Sequence, residues 1–236
     1  MVLSVRQGLV YLLAGASCVS AAAIQRRDEI AHDSVVGFPE TVPSDVGAVY
    51  QKFKPYLKVD SGCVPFPAVD ASGNTNAGLN PTGEPNGGCS SSPGQVYVRG
   101  AQSGSSYAVM YSWYFPKDSP GSGLGHRHDW EGVVVWLSEA STSAEILGVA
   151  ASGHGEYETN TSPSLSGTRP LIRYYNIFPV NHQMGFTSTQ GGDQPLIAWE
   201  SLPQAAQDAL QNTDFGDANV PFKDGNFEDN LGKAAL

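Results

Sequence analysis

Positive charge is scarce in this sequence of 236 residues. Its 13 Lys and Arg residues are outnumbered by 23 Asp and Glu residues, which gives a formal net charge of −10. Such an acidic chain, without a basic stripe, does not suit nucleic-acid binding or unspecific adhesion to anionic membranes. Any membrane contact must therefore involve a specific headgroup or a bridging cation.

Long apolar runs are also missing. The segment "GLVYLLAGASCVS" after Arg6 is too short and too interrupted for a membrane-spanning helix. Its basic start, short apolar core and closing "AAA" are typical of a secretory signal peptide. We predict a signal peptide over residues 1–23 and a flexible segment over residues 24–42, with a dibasic processing point at residues 26–27. An uncleaved flexible tail is the alternative. Loss of Arg6 with the signal peptide would change the net charge from −10 to −11.

Cysteine is rare, and one of the three, Cys18, belongs to the predicted signal peptide. In a secreted chain the other two, Cys63 and Cys89, most simply form one disulfide. The bond would close a loop rich in Pro, Gly and Asn, a closure worth roughly 3–4 kcal/mol. Because this loop offers little to pack, we expect the cross-link to order it. Two buried free thiols are the alternative.

Strand-like segments dominate residues 43–236. The segments "QVYVRG", "SYAVMYSWYF", "WEGVVVWLS", "AEILGVAASG" and "RPLIRYYNIF" are rich in β-branched and aromatic residues, and we expect Pro116 to end the second. Helical spacing occurs in "PSDVGAVYQKFKPYL", with Ser44 as cap, and in "SLPQAAQDALQ", with Ser201 as cap. The pattern predicts one mainly β domain, a β-sandwich or barrel with peripheral helices.

Residues with chemical potential concentrate in the decapeptide "GLGHRHDWEG". In a straight strand His126 and His128 would share one face, and Asp129 and Glu131 would share the other. The four side chains can converge only if the chain bends near residues 127–129. The surrounding glycines make such a bend feasible.

The ion that this cluster would bind depends on which members converge. Two His ligands and one carboxylate suit zinc or another transition metal, whereas a carboxylate-rich set suits Mg²⁺ or Ca²⁺. Asp118, in the preceding loop, could supply a third carboxylate. Trp130 would then point away and anchor the loop in the core. The alternative without a metal is a salt-bridged network of Arg127 with Asp129 or Glu131.

Signatures of common enzyme classes are missing from the sequence. It contains no G-x-S-x-G elbow and no H-E-x-x-H motif. Only two residues separate the H-x-H pair from the following Glu, fewer than in cupin metal sites. "GSGLG" lacks the strand and helix that flank a phosphate loop. His154 and His182 stand in other loops and can be loop residues without a role.

The heptapeptide "GHRHDWE", residues 125–131, resembles the hallmark motif of the necrosis- and ethylene-inducing peptide-1-like proteins, the NPP1 family. "AVMYSWYFPKDSPGSGL" before it, and "QPLIAWESLP" and "TDFGDANVPF" after it, also resemble family blocks, so the resemblance covers roughly residues 40–235. The two cysteines outside the signal peptide fit the family's type 1. The resemblance implies a secreted, non-enzymatic cytolysin with a central β-sandwich similar to actinoporins and some fungal lectins.

The resemblance also implies a ligand and a site. Members bind glycosyl inositol phosphoryl ceramide sphingolipids of plant plasma membranes, damage eudicot membranes and require Mg²⁺ or Ca²⁺ in an acidic cavity. By position, the implied metal ligands are Asp118, His126, Asp129 and Glu131. His128 then becomes a supporting or loop-ordering residue, Arg127 and Trp130 hold the loop, and His182 lines the cavity.

A second role implied by the resemblance concerns residues 108–127. In the family this segment is read by plant immune receptors as a fragment, which does not require folded protein. A non-lytic immune elicitor and a secreted metal-dependent glycan hydrolase or lectin therefore remain alternatives to a cytolysin. We expect a monomer that contacts membranes shallowly through loops. Asn160 begins a glycosylation sequon, which the following Pro163 weakens.

Overall fold

The computed structural model describes residues 28–236. The predicted signal peptide and the dibasic pair lie outside the described residues. The strands are β1 (Glu29–Ile30), β2 (Tyr56–Val59), β3 (Thr75–Asn76), β4 (Val96–Ser103), β5 (Ser106–Asp118), β6 (His126–Leu137), β7 (Ile146–Gly153), β8 (Glu156–Asn160), β9 (Leu165–Ser166), β10 (Arg169–Tyr175), β11 (Gln183–Phe186) and β12 (Leu196–Ala198). The helices are α1 (Gly47–Lys52), α2 (Gln204–Asn212) and α3 (Phe227–Lys233), with a 3₁₀ turn at Trp199–Ser201.

Two sheets form the sandwich, and β1 and β3 make a separate two-stranded sheet. The larger has the strand order β12-β4-β5-β6-β7-β8, and its strands are antiparallel from β4 to β8. The smaller has the order β11-β10-β2, with β9 pairing the start of β10. β2 and β10 are parallel, so both strands point toward the same edge of the molecule.

Both faces of the larger sheet are covered, which buries β5 and β6 along most of their length. On one face Phe115 stacks on Tyr174 of the smaller sheet, with ring centroids 3.8 Å apart. On the other face Trp130 packs edge-on against Phe215 and Phe222, from the segment after α2. The predicted β-sandwich with peripheral helices is confirmed, as is the burial of "VVVWL" on both faces.

Several element boundaries differ from the sequence-based prediction. β5 continues through Pro116 to Asp118 because the ladder is irregular there and skips the proline, which has no N–H to donate. Helix α1 begins at Gly47 without a cap from Ser44, and α2 follows Pro203 without a side-chain cap. Ser201 belongs to the 3₁₀ turn instead.

The segment predicted to be a flexible tail, residues 24–42, packs against the fold in its described part. β1 pairs in parallel with β3. Further along, the N–H of Thr41 donates to the carbonyl of Leu196 at 2.8 Å. The expectation of a free tail therefore does not hold for residues 28–42, because this stretch finds distant backbone partners that composition does not reveal.

The predicted cross-link is present. Cys63 and Cys89 form a disulfide with their Cα atoms 5.0 Å apart. The loop that it closes lies against the hairpin of β5 and β6, where the N–H of Leu79 donates to the carbonyl of Pro116 at 2.7 Å. The disulfide loop therefore supports the turn of the chain that carries the charged heptapeptide.

Candidate functional site

A β-bulge at the end of the β5–β6 hairpin brings the predicted cluster together. Lys117 pairs with both Arg127 and His128, and His128 has a φ of 61°, unusual for a residue with a side chain. One extra residue reverses the alternation of side chains along the strand. His126 therefore lies on the same face as Asp129, and the predicted bend of the chain is confirmed.

The glycine that opens the heptapeptide is required by this geometry. Gly125 has a φ of 85°, and a Cβ atom on it would lie 2.1 Å from the carbonyl oxygen of Asp118. Only a residue without a side chain allows the ends of β5 and β6 to approach so closely.

The bulge opens onto a cavity of about 510 Å³. Its wall includes the four predicted metal ligands together with His182, although Asp118 comes from the end of β5 and not from a loop. His154, for which the sequence indicates no role, also lines this cavity from the β7–β8 turn. Asn160 lies at the end of β8, where its Oδ1 accepts the N–H of Ser162 at 2.8 Å. Its glycosylation stays a prediction.

His182 contacts both carboxylate oxygens of Asp118. Its Nδ1 lies 2.6 Å from Asp118 Oδ1, and its backbone N–H donates to Asp118 Oδ2 at 2.9 Å. The other ring nitrogen, Nε2, lies 3.1 Å from Ser61 Oγ, and the ring stacks on Tyr174. This buried histidine orients the carboxylate that faces the cavity.

Asp129 and Glu131 are buried acids with hydroxyl partners. Tyr174 Oη donates to Asp129 Oδ2 at 2.7 Å, and Ser152 Oγ donates to Glu131 Oε2. Burial, followed by repulsion from Asp118, raises the pKa of Asp129 to about 7. Burial and the charge of Asp129 raise the pKa of Glu131 well above its usual value. The raised pKa values of Asp129 and Glu131 indicate that nearby positive groups do not balance the negative charge of this carboxylate cluster.

His126 is oriented by the bulge itself. Its Nδ1 lies 2.7 Å from the carbonyl oxygen of His128, which can only accept, so Nδ1 carries the proton. Its Nε2 is then free to accept and lies 3.9 Å from Asp118 Oδ2. Backbone bonds of this kind commonly fix the tautomer of metal-binding histidines.

His128 points away from the cluster. Its Nδ1 lies 2.6 Å from Tyr114 Oη, and its ring meets Phe215 edge-on. Burial, aided by the charge of Arg127, lowers the pKa of His128 to about 4, so it is neutral near pH 7. The placement suits a residue that orders the bulge.

Arg127 does not form the salt-bridged network that was the alternative. Its guanidinium donates to the carbonyl of Ala77 at 2.8 Å and to Asn80 Oδ1, both in the disulfide loop. Lys117, from the opposite strand, is buried and donates to the carbonyls of Thr82 and Glu84. Two cations thus bind the disulfide loop to the two sides of the bulge.

The donor set suits a hard divalent cation in composition and charge. Three carboxylates and one imidazole supply mostly oxygen ligands, as Mg²⁺ and Ca²⁺ prefer. Within the described residues, the ion-pair contacts of this cluster come only from histidines. In the same part of the chain, no three His, Cys, Asp or Glu side chains are grouped so that they could hold a metal ion as they stand. Binding of a metal ion by this cluster is therefore taken up below as a proposal.

An apolar loop beside the cavity was missed by the sequence reasoning. "RPLIRYYNIF" was predicted to be strand throughout, but β10 ends at Tyr175. Ile177 and Phe178 are each 69% exposed, and Val180 is 48% exposed. The next two residues of the chain line the cavity. The signal was present in "NIFPV", where apolar residues flank a proline and cannot continue a central strand.

The chain is similar to known proteins over most of its length. The family model described as necrosis inducing protein (NPP1) matches residues 47–234. NLP effector protein 10 of Phytophthora capsici is 50% identical, over 91% of this chain and 94% of the relative. Necrosis-inducing protein NPP1 of Phytophthora nicotianae is 47% identical, over 96% of this chain and 98% of the relative.

Solved structures agree with the fold. NLPPya in complex with mannosamine is 48% identical, with a TM-score of 0.84 over 88% of this chain and 99% of the other. The non-toxic HaNLP3 protein is 41% identical, with a TM-score of 0.83 over 86% of this chain and 98% of the other. The architecture is thus shared by a sugar complex and by a protein described as non-toxic.

Proposed function

The chain belongs to the necrosis inducing protein (NPP1) family, and on that premise we propose that it is a secreted, metal-dependent cytolysin. Its target would be the glycosyl inositol phosphoryl ceramide sphingolipids of plant plasma membranes. The observation that carries the proposal is an acidic cavity bordered by an exposed apolar loop. Relatives bear the names of necrosis-inducing and effector proteins, which supports a non-enzymatic activity.

The cavity would hold the cation and the headgroup. The ligands would be Asp118, His126, Asp129 and Glu131. A bound Mg²⁺ or Ca²⁺ supplies local positive charge that attracts sugar hydroxyl and phosphate oxygens to an otherwise acidic surface. His182 keeps Asp118 oriented, and His128, Arg127 and Trp130 keep the bulge in shape. The mannosamine complex of NLPPya supports a sugar as the occupant.

The apolar loop would contact the membrane. Ile177, Phe178 and Val180 are exposed beside the cavity, and Leu124, in the adjacent glycine-rich loop, is 43% exposed. Within residues 28–236 the helices are all too short to cross a bilayer. Shallow insertion of this edge, and not a helical pore, fits these features.

Substitution of Asp129 by Asn tests the proposal, because Asn keeps the shape and removes the charge. We expect at least tenfold less leakage from vesicles that contain the plant sphingolipid, with circular dichroism unchanged. Glu158→Gln, an exposed acid on β8, is the matched control and should lyse normally. Equal lysis by wild type and Asp129→Asn would show that the ligand set is wrong. Release of a cleaved headgroup would instead favour the glycan hydrolase, and binding without leakage the lectin.

A non-lytic immune elicitor is the second candidate, favoured by the similarity to non-toxic HaNLP3. Folded, metal-loaded protein that binds no plant vesicle but triggers plant immune responses would support this candidate. Asp129→Asn should then leave those responses unchanged.

A further inference from the structure

A guanidinium with unused donors lies next to the apolar loop. Arg173 Nε, on β10, is buried and has no hydrogen-bond partner among residues 28–236. The nearest acid, Asp60, places its Oδ2 3.7 Å from Arg173 Nη1, which is longer than a hydrogen bond. Buried polar groups are nearly always paired in folded proteins. Because Nε is closed off from solvent, an external acceptor would meet the Nη–H donors of this partly exposed side chain, whose ion-pair contact with Asp60 is the one at 3.7 Å.

This side chain is held in a defined position. The centre of its guanidinium lies 3.9 Å from the centroid of the Tyr175 ring. The ring is itself fixed, because Gln183 Nε2 donates to Tyr175 Oη at 3.0 Å. A Cβ on Gly185 would lie 2.7 Å from the ring, so glycine is needed beneath it. Stacking uses the face of the guanidinium and leaves the Nη–H donors at its edge available.

A second cation shares this face. Lys58 of β2 pairs in register with Arg173, and neighbours in register point to the same side of a sheet. Asp60 Oδ1 lies 2.6 Å from Lys58 Nζ, so one acid accompanies two cations. Both cationic side chains are partly exposed, at 39% and 38%. In a chain with a net charge of −10, these two cations with one acid form a local patch of positive charge.

The spacing along β10 relates the pair to the apolar loop. β2 and β10 run in parallel toward the cavity edge. Arg173 precedes Ile177 by four residues, which at strand spacing is no more than about 13 Å. Apolar residues of interfacial segments penetrate roughly 5–10 Å into the boundary of headgroups and acyl chains. Insertion of the apolar loop would therefore bring Arg173 to the layer of phosphate groups.

We propose that Arg173, with Lys58, forms a phosphate-binding site that engages the phosphodiester of membrane lipids while the acidic cavity takes the sugar. The inference rests on the proposed function and adds a second, separate contact with the headgroup region. A guanidinium fork matches two oxygens of a phosphate, which a lysine ammonium cannot do.

Titration with inorganic phosphate tests the site in isolation. We expect a saturable shift of the Arg173 guanidinium resonances in ¹⁵N NMR spectra, at constant ionic strength and with chloride as the control anion. Lys58→Gln should weaken the binding. A resonance that moves equally with chloride, or that never saturates, would overturn the proposal.

Vesicle co-sedimentation then tests the lipid as the source of the phosphate. Phosphatidylcholine vesicles with and without phosphatidylinositol are compared for wild type, Arg173→Gln, Arg173→Lys and Lys52→Gln. Lys52 is the matched control, because it lies at the opposite end of β10, where Thr168 Oγ1 donates to its carbonyl. We expect about fivefold weaker binding to the phosphatidylinositol vesicles for Arg173→Gln. Arg173→Lys should retain only part of the wild-type binding to these vesicles, and Lys52→Gln should bind as wild type does.

The two proposals can fail separately. If all four proteins bind these vesicles equally, lipid phosphate is not the ligand of Arg173, whatever the cavity does. If inorganic phosphate saturates Arg173 but wild type neither binds nor lyses any plant vesicle, the anion site stands and the cytolysin proposal fails.

Discussion

Asp129 combines a buried carboxyl group with two acidic neighbours. Its pKa is raised to about 7, first by burial and then by Asp118. The ionised form is therefore disfavoured in the folded state. A divalent cation would reverse this cost, because opposite charge close by favours the ionised form.

The raised pKa predicts how stability changes with pH. A carboxyl group with a folded pKa near 7 and an unfolded pKa near 3.8 adds stability below about pH 4 that is lost as pH rises through 7. His128, whose pKa is lowered, opposes this trend over part of the same range. The prediction therefore concerns the difference between wild type and Asp129→Asn.

Thermal unfolding in EDTA measures this difference. A pKa shift of even one unit is worth about 1.4 kcal/mol, or about 3–5 °C in Tm for a chain of this size. At pH 7.5 we expect the Tm of Asp129→Asn to exceed that of wild type by at least that amount. At pH 4 we expect the two proteins to have the same Tm. Addition of Mg²⁺ or Ca²⁺ should raise the Tm of wild type alone. A pH-independent difference would contradict the assignment.

The disulfide loop supports the bulge from outside. Arg127 and Lys117 bind its carbonyls from the two strands of the hairpin. We expect the double substitution of Cys63 and Cys89 by Ser to cost roughly 3–4 kcal/mol in the free energy of unfolding. Affinity for the cation should fall as well, because the bulge loses its outer support. Urea unfolding and calorimetric titration measure the two effects. If the folded variant binds the cation with unchanged affinity, the bulge does not need the disulfide to keep its geometry.

Most of the segment that the resemblance implies in immune recognition, residues 108–120, is buried in the folded protein, whereas residues 121–127 are partly or fully exposed. β5 is buried from Tyr107 to Asp118, in the middle of the larger sheet. We therefore expect native protein to elicit receptor responses over residues 108–127 only after unfolding or proteolysis. A dose–response series of intact, heat-unfolded and protease-treated protein on receptor-bearing plants measures this. Equal potency of intact protein that stays uncleaved would contradict the prediction.

Local pattern was sufficient to predict the main strands, because β-branched and aromatic runs such as "VVVWL" have few alternatives. The same pattern misassigned "NIF" to a strand, although Pro179 and the turn at Ile177 end it. The need for a bend in the heptapeptide was evident from side-chain alternation. The residue at which the bulge occurs could not be predicted, because its position depends on the pairing of Arg127 and His128 with Lys117 in the opposite strand. Contacts between distant segments, such as that of Thr41 with Leu196, leave no local signal.

Over the whole molecule, the acidic cavity and the apolar loop lie side by side at the edge of the sandwich where β10 ends, and the cationic pair precedes that edge on β10 and β2. Dye leakage from eudicot and monocot plasma-membrane vesicles, with and without EDTA, tests most directly whether this edge lyses membranes through a bound cation. We expect leakage from eudicot vesicles that EDTA abolishes and Mg²⁺ or Ca²⁺ restores. Leakage that persists undiminished in EDTA, or folded protein that releases no dye from any vesicle, would contradict it.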